Sequence, residues 1–285
     1  MLPASLAKLQ YALPRHWLTA VTHRLTRIRY RPAKDRMINA FVRLYDIDLD
    51  EVARAAPEEF DSLNDFFTRE LAPGARPVDG DPASVVSPAD GTVSQAGIIA
   101  ERDLLQAKGF EYTVDELLAV DLETAARFTG GRFATIYLAP HNYHRVHMPF
   151  AGRLETAHFV PGELFSVNDA TAATIPRLFS RNERLCLHFT GASGPFAVVL
   201  VGALNVGSIS TPWTGEIRAR KHGMVESLDI GAERPVLDKG DLLGWFNLGS
   251  TVIVLFPDGA VEWDDFLATG CAVRMGEAIG RRTND

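Results

Sequence analysis

Three side chains that lie far apart in the sequence, Asp90, His147 and Ser250, supply a carboxylate, an imidazole and a hydroxyl group. Together these groups can activate a serine nucleophile: the aspartate orients the ring, the histidine takes the proton and the serine oxygen attacks. Gly249 stands just before the serine, and glycine removes side-chain bulk and permits backbone angles that other residues avoid. The carbonyl group of Gly249 is therefore open to attack by the Ser250 hydroxyl.

The sequence around Ser250 lacks the Gly-x-Ser-x-Gly pattern of the nucleophile elbow, so an ordinary esterase is not favoured. A serine hydrolase or peptidase that uses Asp90, His147 and Ser250 without cutting itself stays open as an alternative. A second alternative is a non-catalytic membrane-docking or carrier domain, in which the Gly-Ser pair is only a turn at the entrance of a strand.

Three of the eight histidines, His141, His144 and His147, follow one another at a spacing of three residues between Pro140 and Pro149. The flanking prolines and the apolar run before Pro140 predict a loop that re-enters a sheet. Imidazoles bind zinc, copper or nickel, and they also titrate near neutral pH. Metal ligation and general acid–base catalysis are therefore both open on chemical grounds.

Strands must position these groups, because short apolar runs separated by turn residues recur from residue 73 onward. The runs are 85–86, 92–93, 98–99, 133–138, 185–189, 197–201 and 252–256. Asp90 lies in a Pro-Ala-Asp-Gly turn between two of them, and Ser250 lies at the mouth of the last. Helical patterns occur in the first 70 residues and around 114–118 and 122–128. The sequence thus predicts an α+β fold: a helical arm over 1–70, then a β-rich, sandwich-like or barrel-like catalytic domain over 71–285.

The charge of the arm differs from that of the rest of the chain. Residues 1–36 carry eight lysine and arginine residues against Asp35, a net charge of +7, whereas the whole chain of 285 residues carries −7 and the remainder therefore −14. Two apolar helical stripes, Leu2 to Leu13 and Leu18 to Ile28, flank Pro14. This pattern is typical of a helix at an anionic membrane surface. Packing against the chain's own domain is the alternative, and nucleic acid is a weaker one because aromatic and glycine residues are not interleaved with the basic ones.

Composition indicates an ordinary globular protein of a reduced compartment. Hydrophobic residues make up 46% of the chain, yet no apolar run approaches the roughly 18 residues that a membrane-spanning helix needs. The first residues lack the apolar stretch of a secretory signal. Cys186 and Cys271, the two cysteines, form no zinc-binding spacing and are interpreted as packing residues. A cytoplasmic protein is therefore expected.

Six blocks of the sequence carry a family resemblance. They are Asn-Asp-Phe-Phe-Thr-Arg at 64–69, Pro-Ala-Asp-Gly at 88–91, Tyr-His-Arg-Val-His-Met-Pro at 143–149, Pro-Gly-Glu-Leu-Phe-Ser-Val-Asn at 161–168, Val-Gly-Ala at 201–203 with Val-Gly-Ser at 206–208, and Leu-Gly-Ser-Thr at 248–251. In this order they resemble the bacterial phosphatidylserine decarboxylases of the pyruvoyl-dependent type. Each block alone is weakly specific, but the ordered set is highly specific and spans most of the chain.

The resemblance implies a proenzyme that cuts itself between Gly249 and Ser250. The Ser250 hydroxyl would attack the Gly249 carbonyl with Asp90 and His147 as a charge relay, and Ser250 would become a covalent pyruvoyl group. The products would be a β-chain of residues 1–249 and an α-chain of residues 250–285.

The resemblance also implies a reaction and its partners. The pyruvoyl ketone would form a Schiff base with phosphatidylserine, accept electrons as CO2 leaves and so give phosphatidylethanolamine. His144 is expected to transfer the proton, and Phe165 and Ser166 to line the headgroup pocket. No metal and no nucleic acid is expected. The arm would hold the enzyme peripherally on the cytoplasmic face of the cell membrane, and a small homo-oligomer is consistent with this arrangement.

Overall fold

The computed structural model describes residues 4–107, 109–205 and 207–283, so Leu2 of the first apolar stripe lies outside the described residues. The helices are α1 (Ala4–Leu9), α2 (Arg15–Leu25), α3 (Arg31–Tyr45), α4 (Leu63–Phe67), α5 (Val114–Leu118), α6 (Leu122–Ala126), α7 (Asp169–Ala172) and α8 (Leu178–Arg181), with a short 3₁₀ helix at Gln10–Ala12. Ser62 caps α4 by accepting a hydrogen bond from the Asp65 N–H at 3.2 Å, as short polar residues do at helix N-termini.

Strands dominate the chain after α4. They are β1 (Ser84–Val86), β2 (Gly91–Ile98), β3 (Asp103–Ala107), β4 (Phe110–Thr113), β5 (Arg132–Leu138), β6 (Arg145–His147), β7 (Gly152–Val160), β8 (Arg184–Gly191), β9 (Gly194–Val201), β10 (Ser208–Thr211), β11 (Gly215–Arg218), β12 (Glu226–Ser227), β13 (Val236–Leu237), β14 (Leu242–Phe246), β15 (Ser250–Phe256), β16 (Val261–Trp263), β17 (Ala272–Val273) and β18 (Ala278–Arg282). The predicted runs at 133–138, 185–189, 197–201 and 252–256 all fall within strands.

The largest sheet has nine strands in the order β12-β7-β8-β9-β15-β5-β2-β17, with β13 also paired to β7. A four-stranded sheet of order β11-β10-β14-β6 and a three-stranded sheet of order β1-β18-β16 lie beside it. Strand β15 pairs antiparallel with β9 on one side and β5 on the other. All of its residues are buried, which explains why residues 252–256 form a continuous apolar run rather than an alternating one.

The main hydrophobic core surrounds this central strand. Ile136, Val199 and Ile253, from three neighbouring strands, are fully buried in it. A smaller cluster of Ile38, Ile47, Phe60 and Phe66 lies among the helices near the start of the chain. The α+β class and the order of helices before strands are therefore confirmed.

Helix α2 packs against the β-rich part. The Arg15 guanidinium pairs with the Glu163 carboxylate, and His23 Nε2 lies 2.7 Å from Glu216 Oε1. On the outer side of this arm Trp17 is 64% exposed. None of the helices in the described ranges is both long and apolar enough to cross a membrane.

Candidate active site

Ser250 is the first residue of β15 and lies inside the molecule. It pairs with Leu138 of β5, while the next residue, Thr251, pairs with Tyr137 on one side and Val201 on the other. Ser250 is fully buried, and within the described residues its hydroxyl oxygen has no hydrogen-bond partner. A buried hydroxyl without a partner is uncommon and unfavourable, so this oxygen is free to react.

The connection from β14 to Ser250 is held by Asn247. Its side-chain amide donates to Ser208 Oγ at 2.8 Å and to Ser210 Oγ at 3.1 Å, and its carbonyl oxygen accepts from Asn64 at 3.1 Å. Gly249 has φ of +53°, and a Cβ built there would meet nothing within 4 Å. Glycine is therefore needed at this position for its backbone conformation rather than for space.

Asp90 stands at the turn before β2 and is 4% exposed. The Arg76 guanidinium donates to both carboxylate oxygens. Its Nε lies 2.9 Å from Oδ1 and 3.0 Å from Oδ2, and its Nη2 lies 2.6 Å from Oδ2. The Met275 N–H donates a further bond at 2.9 Å. Burial lowers the pKa of Arg76, but its hydrogen bonds and ion pairs with Asp90 and Glu51 outweigh burial and raise the pKa above its ordinary value. Arg76 therefore compensates the buried carboxylate.

His147 is held by hydrogen bonds at both ring nitrogens. Nδ1 lies 2.8 Å from the Gly240 carbonyl oxygen and Nε2 lies 3.0 Å from the Tyr143 hydroxyl. Because a carbonyl only accepts, Nδ1 carries the proton and Nε2 accepts from Tyr143. The pKa of His147 is lowered, mainly by burial. The bond to Gly240 and the Asp90 charge partly oppose this shift.

Asp90 and His147 lie near each other, but the three candidate relay residues do not form a hydrogen-bonded chain within the described residues. The His147 N–H donates to the Pro88 carbonyl at 2.8 Å, which ties β6 to the turn that carries Asp90. Across the described ranges, no hydrogen bond joins the side chains of Asp90 and His147, or those of His147 and Ser250. Sequence reasoning missed both Arg76 and Tyr143. Tyr143 was visible as part of the histidine block, whereas Arg76 carried no sequence signal.

His144 differs from His147 in the bonds that its ring makes. It is fully buried, and within the described part of the chain neither ring nitrogen has a partner. Its ring stacks on Phe67 at 4.0 Å between centroids. Burial, and then the Arg69 charge, lower the pKa of His144 to about 3, while the carbonyl groups of Pro140 and Ala139 act in the opposite direction. The ring is therefore neutral at physiological pH.

Arg69 fixes the loop between β5 and β6. Its Nη2 donates to the carbonyl oxygens of His141 and Asn142 at 3.1 and 3.3 Å. Burial lowers the pKa of Arg69 to about 10. Arg69 lines a cavity of about 280 Å³, and Asp90 and Tyr143 line the same cavity.

The histidine cluster offers no ready metal site in the part of the chain that the structure describes. No group of three or more His, Cys, Asp or Glu side chains there is arranged to hold a metal ion. His141 is exposed, whereas His144 is buried in a stack and both nitrogens of His147 are bonded.

Phe165 and Ser166 lie under the arm. Phe165 is fully buried, with the Arg15 guanidinium carbon 3.9 Å from its ring centroid. Asn182 binds both its N–H and its carbonyl group, at 3.0 and 2.8 Å. The Ser166 N–H donates to Gln10 Oε1 at 2.8 Å. The arm thus covers the segment predicted to line the headgroup pocket.

Comparison with known proteins adds to this geometry. The family model described as phosphatidylserine decarboxylase matches residues 63–281, and one described as PSD matches residues 6–46. Proteins named phosphatidylserine decarboxylase proenzyme are 45% identical in Methylococcus capsulatus, over 96% of this chain and 95% of the relative. The corresponding identity is 47% in Bordetella pertussis, over 95% and 92%, and 47% in Azotobacter vinelandii, over 95% and 96%. The chain belongs to the phosphatidylserine decarboxylase family, and the resemblance is confirmed.

Proposed function

We propose that this chain is a precursor that cuts itself between Gly249 and Ser250 and then decarboxylates phosphatidylserine. The observation that carries the proposal concerns the Ser250 hydroxyl at the mouth of the central strand. This hydroxyl is buried, has no hydrogen-bond partner among the residues that the structure describes, and follows a glycine with positive φ. Membership of a family whose relatives are named proenzymes supports a self-processing role. The products are a β-chain of residues 1–249 and an α-chain of residues 250–285.

The residues around position 250 fit a covalent pyruvoyl group derived from the serine. Loss of the hydroxyl breaks no hydrogen bond within the described residues. A pyruvoyl group supplies a ketone that withdraws electrons from the substrate as CO2 leaves. The side chains of this protein have the remaining tasks of binding the substrate, excluding water and moving protons.

Asp90, His147 and Ser250 are the proposed relay for self-cleavage, with Tyr143 as an added member. Burial raises the pKa of Tyr143 to about 12, so its hydroxyl keeps its proton and donates to His147 Nε2. That nitrogen is the one available to accept a proton, because Nδ1 is bonded to Gly240. Asp90 favours the imidazolium form through its charge rather than by direct contact, and a shift of the Tyr143 side chain would free His147 for Ser250.

His144 is the proposed proton-transfer residue of the decarboxylation. Its neutral ring can accept a proton, but it can act as a general acid only after it has been protonated. An anionic carboxylate bound nearby would raise the pKa of His144, because an opposite charge favours the charged form. The ring can therefore take up a proton when the substrate binds and deliver it after CO2 has left.

The arm is the proposed membrane contact, with phosphatidylserine as both substrate and surface. Leu9, Trp17 and Leu25 are each more than half exposed, beside the exposed basic residues Lys8 and Arg24. Exposed apolar residues flanked by positive charge favour an anionic interface. Phe165 and Ser166 remain proposed headgroup neighbours, and Phe165 acts by shaping its loop because it is fully buried.

Intact-mass analysis of the purified protein tests the proposal. We expect two chains, the smaller starting with a pyruvoyl group that reacts with hydrazine, and release of CO2 from phosphatidylserine. Ser250→Ala should remain one inactive chain. Thr251→Val is the matched control, since the neighbouring Thr251 hydroxyl is also buried and unpartnered in the described residues, and it should be cut. A wild-type chain that decarboxylates while intact contradicts the mechanism, and an intact chain that hydrolyses esters indicates a serine hydrolase.

A further inference from the structure

A buried carboxyl group lies just before β8 and is not used by the proposed mechanism. Glu183 is 1% exposed. Its Oε2 accepts a hydrogen bond from the Arg220 N–H at 3.2 Å, whereas Oε1 has no partner in the described part of the chain. A buried carboxyl oxygen with an unused hydrogen-bonding site is costly, so this group calls for a functional explanation.

The register of the sheet aligns Glu183 with Ser250. Arg184 pairs with Val201, and Val201 pairs with Thr251. When this register is continued by one residue, Glu183 lies opposite Gly202 and Gly202 lies opposite Ser250. These three residues form one row across the sheet. The Gly202 N–H donates to the Glu183 carbonyl at 2.9 Å, which continues the ladder into this row. Residues that oppose each other in antiparallel strands project their side chains from the same face.

Gly202 lies between the two side chains, and it has none of its own. A Cβ at Gly202 would lie 2.8 Å from Glu183 Oε1 and 2.8 Å from its Cγ. The Glu183 side chain therefore lies over Gly202, in the space that separates it from Ser250. Opposed Cβ atoms of neighbouring strands are about 5 Å apart, so about one strand spacing separates the carboxyl group over Gly202 from the Ser250 side chain. The two oxygens do not bond to each other in this structure, and a rotation of either side chain is needed to bring them together. Both oxygens are buried and unpartnered in the described residues.

The surroundings of Glu183 keep it uncharged near neutral pH. Burial raises its pKa to about 8, while the bond from the Arg220 N–H and the Arg220 charge act in the opposite direction. Because Oε2 accepts from an N–H group, the proton of the acid lies on Oε1. The atom that faces Gly202 is therefore a hydroxyl donor, as in other sites where a carboxylic acid is kept neutral to donate a hydrogen bond.

We propose that Glu183, as an uncharged acid, donates a hydrogen bond to the Ser250 oxygen and stabilises that oxygen as it leaves during self-cleavage. The inference rests on the proposed self-processing of this chain and adds a residue to it. Neither the histidine block nor the Gly-Ser junction contains Glu183, and only the pairing of β8, β9 and β15 places it in the row of Ser250.

The role fits the bonds that must form and break. First, the Ser250 oxygen bonds to the Gly249 carbonyl carbon, the bond from that carbon to the Ser250 nitrogen breaks, and the hydroxyl proton passes to the nitrogen, which leaves an ester. Next, the Ser250 Cα proton passes to the proposed base His147 and the Cβ–oxygen bond breaks. The electron pair stays on the oxygen, which leaves as part of the Gly249 carboxylate. A donor aimed at this oxygen becomes more effective as negative charge develops, and Glu183 keeps its own proton.

Removal of the donor tests the inference. Glu183→Leu should slow the appearance of fragments by about a hundredfold, the usual effect of losing a donor to a developing negative charge. Glu183→Gln should be cut much faster than Glu183→Leu, because the amide keeps an N–H donor. Glu155→Leu, on strand β7 outside this row, is the matched control and should be cut at the wild-type rate. The measurement is a time course of intact mass.

Hydroxylamine identifies the step that is blocked. Because the ester precedes the loss of the oxygen, Glu183→Leu should accumulate it, and hydroxylamine should split that precursor. The released fragment 250–285 should then begin with an unmodified serine rather than a pyruvoyl group. A folded Glu183→Leu precursor that resists hydroxylamine overturns the inference, as does one that is cut at the wild-type rate.

Gly202→Ala keeps the test decisive if Glu183→Leu does not fold. The added methyl group would displace the carboxyl group without removing it, so this variant should also be cut slowly and give the hydroxylamine-sensitive ester. Wild-type cleavage of Gly202→Ala contradicts the inference. Failure of the wild-type chain to cut itself would instead contradict the proposed function, so the two failures are distinguishable.

Discussion

His144 and His147 stand three residues apart in the sequence yet meet opposite surroundings. His147 bonds at both nitrogens, while His144 is stacked on Phe67 without a partner in the described residues. Successive side chains in extended backbone alternate between faces, so an odd separation puts the two rings on opposite sides. The same spacing on a helix would have put them on one face. This difference gives the two histidines separate proposed tasks.

The proposed task of His144 can be tested by removing its ring. His144→Ala should still be cut into two chains, because His147 and Ser250 remain, but CO2 release should fall by about a hundredfold or more, a typical effect of losing a proton-transfer group. His141→Ala is the matched control, since His141 is exposed, and it should keep its activity. An uncut His144→Ala chain would instead move His144 into the processing step.

At the scale of elements, the arm and the site loop form one unit. The Gln10 side chain binds the Ser166 N–H, and Arg15 pairs with Glu163 two residues before Phe165. On the opposite side, Asn182 clamps the Phe165 backbone. The inner face of the arm therefore supports the site loop, while its outer face exposes Trp17 and its neighbours. The sequence left two alternatives for the arm: packing on its own domain or contact with a membrane. The two faces of the arm make these alternatives compatible.

The outer face of the arm should control binding to anionic vesicles. Trp17→Glu combined with Arg24→Glu should weaken binding to phosphatidylserine-containing vesicles, because charge reversal at Arg24 alone removes about 1 kcal/mol of attraction and adds repulsion. Sedimentation with vesicles with and without phosphatidylserine measures this. Val236→Glu is the matched control, since Val236 on β13 is 74% exposed away from the arm. Unchanged binding of the double variant contradicts the anchoring role, and self-cleavage should be intact in all of these proteins.

At the scale of the whole molecule, burial of titratable groups links stability to pH. Burial lowers the pKa of His144 to about 3 and that of His188 to about 4. In the unfolded chain both take up a proton below about pH 6.5. The unfolded state therefore binds more protons below that pH, and stability falls as the pH drops. Glu183 has the opposite effect on stability, because burial raises its pKa in the folded state to about 8. Its contribution to the free energy of unfolding is complete below about pH 4.5 and is lost as the pH rises towards that folded-state pKa.

His188 offers a test of this linkage away from the proposed site. Unfolding by denaturant is best measured on Ser250→Ala, which is expected to remain one chain. Between about pH 7 and pH 5 the free energy of unfolding should fall by about 2 kcal/mol on account of His188 alone. His188→Phe should remove that part of the fall, whereas the exposed His222→Phe should not. Equal pH dependence of His188→Phe and its parent protein would contradict the assignment.

The strands and the family could be predicted from the sequence alone, because the sequence patterns that specify them are local. Short apolar runs specified the strands around Ile136, Val199 and Ile253. The ordered motifs specified the family, since each depends only on neighbouring residues. The roles of Asp90, His147, His144 and Ser250 stay predictions.

Which groups meet depends on the three-dimensional packing of the chain. Arg76 neutralises Asp90, Tyr143 and Gly240 hold His147, and Glu183 lies over Gly202. None of these partners follows from a motif. The physical reason is that antiparallel register depends on the pairing of the whole sheet. A shift of one residue would send the Glu183 and Ser250 side chains to opposite faces.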